Sequence, residues 1–276
     1  MRHGARIRAL AGAAALTAAM TACTATAGVG PADPPTAPAP SAAGPVPDPG
    51  DWARWGLKPL APAPPPPADR PLKLARGTAP VIDRVPTRDR VVFVTIDDGK
   101  EKDPRFVQMM TDLRVPISMF LTDDSIKDDY AYFTALRDLG NHVQNHTMTH
   151  PVMPLYGQDV QQREICGQQR LLTARYGTRP TLFRPPFGRY GDSTQAAAIR
   201  CGARAIVMWR ESMQIHDMQY DEPDRRLRPG DIILAHFRGP ADLKGTTMTQ
   251  MFANLLKRIR QQGFAVARLE DYIQLR

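Results

Sequence analysis

Three short segments of this chain carry residue types that could do chemistry: Thr95-Ile96-Asp97-Asp98-Gly99, His146-Thr147-Met148-Thr149-His150-Pro151 and Arg184-Pro185-Pro186-Phe187-Gly188. They offer two adjacent carboxylates, two histidines at i and i+4, and an arginine on a proline-stiffened loop. A hydrolase that activates water on a divalent cation needs that set: ligands, a base beside them and a group that holds the base. On one helical turn the rings of His146 and His150 would converge on a single ion. Asp98 would add a carboxylate from a separate segment, completing a two-histidine, one-carboxylate set with open positions for water and substrate. Its neighbour Asp97 would then be free to take a proton. Each feature has an ordinary alternative. Paired histidines also cap and pack, and Asp-Asp-Gly also forms plain turns, as expected for Asp123-Asp124 and Asp128-Asp129.

The elements that must position these residues alternate between strand and helix. Short β-branched or apolar runs predict strands at 90–96, 117–121, 142–145, 205–209, 231–235 and 264–267, with Leu182-Phe183 as a further short one. Between them, Asp103 as N-cap and Pro104 at the first position predict a helix over 104–113. Further helices are expected around 130–139, over 160–176 with Gly177 as the stop, and over 194–201. An apolar stripe at Met251, Phe252, Leu255, Leu256 and Ile259 predicts a last amphipathic helix. The stretch between 210 and 230 reads as irregular and polar. Alternating strands and helices imply an α/β parallel sheet or barrel. Each polar motif, and a fourth segment Leu234-Ala235-His236, falls just past the carboxyl end of a predicted strand. In a βα barrel those ends share the face that carries the active site.

Taken together and in this order, the four segments resemble the polysaccharide deacetylases, the NodB-homology or carbohydrate esterase family 4 proteins. The resemblance spans about 91–275. It implies a deformed (β/α) barrel of about seven βα units in a single catalytic domain, placed here at 77–276. The implied reaction is metal-dependent removal of acetyl groups from N-acetylated sugars, with one divalent ion: zinc expected, cobalt or manganese as alternatives. Carried over by motif, Asp98, His146 and His150 would be the metal ligands, Asp97 the general base, Arg184 its holder and His236 the general acid. Leu234 would line the acetyl pocket, the Phe187 backbone N–H would stabilise the oxyanion, and Trp209 would wall the groove. One motif departs from the family pattern: Ser212 stands where an acid that orients the catalytic histidine is usual. Glu211, or Asp217, is the candidate substitute partner for His236. His142 and His216 match no motif and are expected to be structural or surface residues.

The rest of the chain bears on location. Residues 1–22 have the basic-then-apolar profile of an export signal, and Met20-Thr21-Ala22-Cys23 resembles a lipobox with Cys23 as the lipidation site. A secreted form without an anchor is the alternative, and the apolar run is too short to span a membrane. The Ala/Pro-rich tract 23–76 reads as a disordered linker, interrupted by Asp51-Trp52-Ala53-Arg54-Trp55. Cys166 and Cys201 remain as an even pair; in an oxidising compartment they are expected to form a disulfide, with two buried thiols as the alternative. The net charge of +8 is scattered, without a recognition helix, which speaks against nucleic acid and for an anionic envelope or polymer. The expected partner is a cell-wall or other N-acetylated glycan, the expected state a monomer, and membrane contact would be through a lipid on Cys23 alone. The expected substrate is peptidoglycan. An O-acetyl ester or small amide cleaved at the same site, and an inactive glycan-binding lipoprotein, are the alternatives.

Overall fold

The computed structural model describes residues 48–276. Its hub is β3 (Val91–Asp98), which pairs in parallel with β4 (Ser118–Leu121) on one side and β10 (Ile232–His236) on the other. From β4 the sheet continues through β5 (His142–Asn145), β6 (Leu182–Phe183) and β7 (Ala205–Val207), with β2 (Val81–Ile82) beside β7. The chain leaving β7 runs directly into β8 (Glu211–Met213), which pairs with β10, so the curled sheet returns to its hub. A short β9 (Met218–Tyr220) folds back on β8, and β11 (Ala265–Val266) pairs with the start of β3. Outside β1 (Leu72–Leu74) and β12 (Ile273–Leu275) form a separate parallel pair. The helices are α1 (Pro49–Arg54), α2 (Pro104–Leu113), α3 (Asp123–Ile126), α4 (Tyr130–Asp138), α5 (Gln158–Tyr176), α6 (Asp192–Arg200) and α7 (Met248–Gln261). This is a deformed (β/α) barrel.

Strand parity divides the two faces of the hub. Val91 and Phe93 of β3 pack inward with Ile232, Phe120, Leu182 and Val207. Val92, Val94, Ile96, Ile233 and Ala235 pack outward, under Phe106 and Met109 of α2 and Phe252 and Leu255 of α7. Both faces are apolar, which is why β3 reads as a continuous hydrophobic run. Continuing the alternation puts Thr95 and Asp97 on the inner face at the carboxyl end. There the apolar filling stops and the polar motifs begin.

Two stretches differ from the sequence expectation. The region 210–230 contains the β8–β9 hairpin, whose three-residue strands are too short to show a period. Part of the tract expected to be a linker is packed: Trp52 and Leu57 are buried in the main core, and Trp55 Nε1 and Arg54 Nη1 each donate to Asp112 Oδ2 at 2.9 Å, whereas residues 61–69 are mostly exposed and form no helix or strand. Asp48 caps α1 through the Gly50 N–H at 2.7 Å. One tryptophan with a cap and an ion pair suffices to order a segment whose composition argues for disorder. The expected signal at 1–22, the lipidation site Cys23 and the first part of the linker lie outside the described residues. Among the described residues no helix is long and apolar enough to cross a membrane.

Cys166 of α5 and Cys201 at the end of α6 form a disulfide with a sequence separation of 35. Closing a loop of that size restricts the unfolded chain, an effect of roughly 2–4 kcal/mol. The double substitution Cys166→Ser, Cys201→Ser should lower the urea unfolding free energy by about that amount. Unchanged stability in the unreduced proteins would show that the bridge adds nothing.

Candidate active site

The site is assembled around Arg184, which follows β6 and is fully buried. Its guanidinium donates from Nη1 to Asp97 Oδ1 at 2.7 Å and to Thr95 Oγ1 at 2.8 Å. Nε donates to the Val207 carbonyl at 2.9 Å and Nη2 to the Met208 carbonyl at 3.2 Å. Thr95 passes the network on, donating to the Ile233 carbonyl at 2.8 Å. The guanidinium lies 4.3 Å above the Phe120 ring centroid and 5.5 Å from that of Trp209. Burial disfavours its charge, and Asp97 opposes that penalty. With every face paired, the cation is held in the protein as an ion.

The same residue fixes a histidine. The Arg184 backbone carbonyl lies 2.7 Å from His146 Nδ1, so Nδ1 carries the hydrogen and Nε2 presents its lone pair. His146 Nε2, His150 Nε2 and Asp98 Oδ1 then form a triangle with edges of 3.2, 3.3 and 3.6 Å. Donors about 2.0–2.1 Å from one tetrahedral ion stand roughly 3.3 Å apart, so the triangle has the span of a single cation's ligand set. Asp98 Oδ1 is buried and accepts no hydrogen bond, an orphan that a cation would satisfy. Burial alone would raise the Asp98 pKa; the facing imidazoles of His146 and His150 more than reverse this and hold it far below the carboxylate range. The donor set therefore fits a divalent metal.

The local backbone explains how neighbours take different directions. Asp97 points inward on β3, whereas Asp98 has φ 74 and turns its carboxylate toward the histidines. Gly99 has φ 95, and a Cβ there would come within 2.3 Å of Ile126. The two histidines do not lie on a helical turn, as the i,i+4 spacing suggests; they flank a loop in which Thr147 has φ 70 and His150 φ 58. Phe187 likewise has φ 58, its exposed ring 4.6 Å from that of His150. Among the described residues, four of the seven non-glycine residues with positive φ are thus in the three motifs. Such strain persists where surrounding structure over-determines it.

The opposite wall comes from β10. His236 pairs with Asp97 in register and Leu234 with Thr95, placing both on the inner face at the mouth. Burial pulls the His236 pKa down, with the charges of Asp97 and Asp98 acting against it. A cavity of about 110 Å³ lies beside it, lined in part by Met213, Gln214, Ile215 and Arg238. Trp209 packs beside Arg184 and over Gly188, where a Cβ would meet its ring at 2.9 Å.

Glu211, the candidate partner of His236, is not near it. Glu211 pairs with Ile233 and shares that residue's outward face, whereas His236 shares the inward face of Leu234. Its position along β10 is also three residues away, roughly 10 Å at strand rise. The carboxyl is buried against Asp231, which in turn accepts from Arg84 Nε at 2.5 Å. Asp217 is engaged elsewhere, with Arg225 at 2.6 Å and Arg258 at 3.0 Å. Among the described residues no hydrogen bond reaches the His236 ring.

Sequence reasoning gave no role to several supports. Glu164 of α5 accepts from the Met148 and Thr149 N–H groups at 3.0 and 2.9 Å, holding the histidine loop. Asn145 Oδ1 accepts from the Thr147 N–H at 3.0 Å. Arg238 Nη2 approaches Asp98 Oδ2 at 4.0 Å. Helix-borne Glu164 belongs to no motif; Thr95 does, and its place at the motif's start was the one available signal.

The polysaccharide deacetylase family model matches residues 84–206. An uncharacterised protein of Streptomyces coelicolor is 40% identical over 72% of this chain and 79% of its own length. The chain belongs to the polysaccharide deacetylase family. Within it, a peptidoglycan N-acetylmuramic acid deacetylase of Bacillus subtilis is 23% identical over 81% of this chain and 86% of its own. A solved family 4 carbohydrate esterase pseudoenzyme of Bacillus anthracis shares the fold at TM-score 0.58 and 20% identity, covering 72% of this chain and 74% of its own. This deacetylase-family chain carries Asp97, Asp98, His146, His150, Arg184 and His236, and its fold brings all six to one mouth.

Burial, then the charge of Asp231, raises the Glu211 pKa to about 8, with Arg84 and Arg210 opposing. A carboxyl raised in the folded state contributes stability that is present below its unfolded pKa and is lost as pH rises toward the folded value. Glu211→Gln should therefore gain on wild type in unfolding midpoint between about pH 5 and 8, the gap levelling above that. A pH-independent difference would contradict the buried Glu211–Asp231 pair.

Proposed function

We propose that the protein is an exported, metal-dependent N-deacetylase of a glycan rich in N-acetylglucosamine, with peptidoglycan as its polymer and zinc as its metal. The observation that carries this reading is the donor triangle of Asp98, His146 and His150 beside an Asp97 whose Oδ1 is locked to Arg184. A divalent ion held by these three residues would lower the pKa of a water and polarise an amide carbonyl. Asp97 keeps Oδ2 free, 3.6 Å from His146 Nε2, to take the proton of the attacking water. Arg184 keeps that carboxylate ionised and aimed. His236, on the strand paired with Asp97, delivers a proton to the departing amine nitrogen. The Phe187 N–H serves the developing oxyanion, Leu234 borders the acetyl methyl, and Trp209 closes the wall. Amide and water become acetate and a free amino sugar.

Separate features support the proposed location. The leader-like 1–22 with Cys23 supports export and lipidation, and a Cys166–Cys201 disulfide suits an oxidising compartment. A glycan-binding protein without activity would lack a ligand, the base or the acid; here none is missing.

Acetate release from peptidoglycan, chitooligosaccharides and acetylated xylan, with and without chelator, tests the reading. Release from the first two is expected, abolished by chelation and restored by zinc. Release from xylan alone would make it an O-esterase, and none from any substrate after metal reconstitution would remove both enzyme readings. Asp97→Asn should lower kcat about 10²–10⁴-fold while leaving zinc stoichiometry unchanged. A variant that loses metal as well would place Asp97 among the ligands.

A further inference from the structure

We propose that the protein carries a second binding site, at the end of the barrel opposite the mouth, for a phosphorylated sugar-sized anion. The inference is independent of the reaction assigned to the mouth.

A cavity of about 600 Å³ is lined by four arginines, Arg90, Arg225, Arg226 and Arg258, against two aspartates, with Tyr220 and Phe264 among its walls. Arg90 and Phe264 directly precede β3 and β11, and Pro229, another lining residue, stands shortly before β10. These strands run parallel, so the cavity is at their amino ends and the donor triangle at their carboxyl ends. Along β3 the two are roughly 25 Å apart at strand rise. The volume suits a small organic molecule and far exceeds a lone ion.

The charges around the cavity are unevenly satisfied. Asp217 is shared by Arg225 Nη2 at 2.6 Å and Arg258 Nε at 3.0 Å, and Asp224 accepts from Arg228 Nη2 at 3.1 Å. Both carboxylates are thereby neutralised. Arg90 donates to the Gln262 and Gly263 carbonyls at 2.8 and 3.3 Å, which covers the negative end of α7. Arg226 engages its neighbours through its backbone, at Asp224 and Arg228, and among the described residues its guanidinium meets no acceptor. The result is excess positive potential in a partly enclosed space. Guanidinium groups come to it from three segments of chain. That arrangement suits the several oxygens of a tetrahedral phosphate better than the two of a planar carboxylate. The Gln261 amide and the Tyr220 hydroxyl, each with a donor to spare among the described residues, suit a hydroxylated body.

The walls are fixed in advance by Gln262. Its Oε1 accepts from the Leu227 N–H at 2.8 Å, and its Nε2 donates to the Tyr220 hydroxyl at 2.9 Å. The end of α7 is thus tied to residues 220–227, where Arg225 has φ 54, a left-handed residue that the mouth does not explain. Donors held in place before the ligand arrives cost little ordering on binding.

Calorimetry on the full-length protein at fixed ionic strength tests the site, with glucose 6-phosphate, glucuronate and a glycerol phosphate polymer as probes. Glucose 6-phosphate or the polymer should bind, and Arg226→Glu should weaken that binding about tenfold or more. Arg170→Glu, the same change of charge at an exposed position of α5, should leave it within about twofold. Binding of the monomer names a free phosphate as the ligand, and binding of the polymer alone a repeating phosphodiester. Either one, lost in Arg226→Glu, sustains the site. Equal losses in both variants would mean general charge attraction, and an unchanged affinity in Arg226→Glu would put the ligand elsewhere. Each of these overturns the proposal, as does failure of both phosphates to bind wild type. Glucuronate bound as tightly as the phosphates overturns the choice of phosphate.

Discussion

The buried ion pair between Arg184 and Asp97 is the constraint on which the rest of the site depends. A guanidinium with no solvent access must have each of its nitrogens paired, because an unpaired buried charge is far costlier than a paired one. Arg184 meets that condition only if several strands are in register at once: β3 for Asp97 and Thr95, and the end of β7 for the Val207 and Met208 carbonyls. Its own carbonyl then sets the His146 tautomer. The strand ends, the Asp97 carboxylate and the His146 ring are thus one hydrogen-bonded unit. Replacing Arg184 with an apolar residue would leave Asp97 as a lone buried carboxylate, and site and fold would suffer together.

Parity does the remaining sorting. Adjacent aspartates acquire different surroundings because a strand alternates faces and because Asp98 then leaves the strand through a left-handed turn. The same alternation removes Glu211 from His236, although the two lie on paired strands. A carboxylate near in sequence pattern is on the wrong side of a sheet. The carboxylates acting on His236 are Asp97 and Asp98 instead, so His236 and Asp97 share one electrostatic environment.

How far the sequence discloses this depends on signal type. α2 has the bounds Pro104–Leu113 that Asp103 and Pro104 announce, because capping is a local property. β3 was legible from its apolar run, and the motif residues from their spacing. The β8–β9 hairpin was not, since strands of three residues show no period. Packing of α1 depends on Trp52 finding a distant core, which composition cannot register. The histidine pair was legible as a pair but not as a loop, because i,i+4 spacing is shared by helices and by turns with two left-handed residues. Glu164 and Asn145 act through backbone N–H groups far along the chain, and such supports carry no motif.

The left-handed residues at the mouth have a consequence for how this protein can be improved. A non-glycine residue in that conformation costs about 1–2 kcal/mol. Glycine would relieve it at a penalty of roughly 0.5–1 kcal/mol in unfolded-chain entropy. Asp98, Thr147, His150 and Phe187 are therefore positions where relaxation of the backbone and retention of the side chain pull in opposite directions. Selection for thermal stability alone would drift toward small residues at these sites and erode the mouth first. Robust variants should be sought in the helices and their caps, where the two demands are independent.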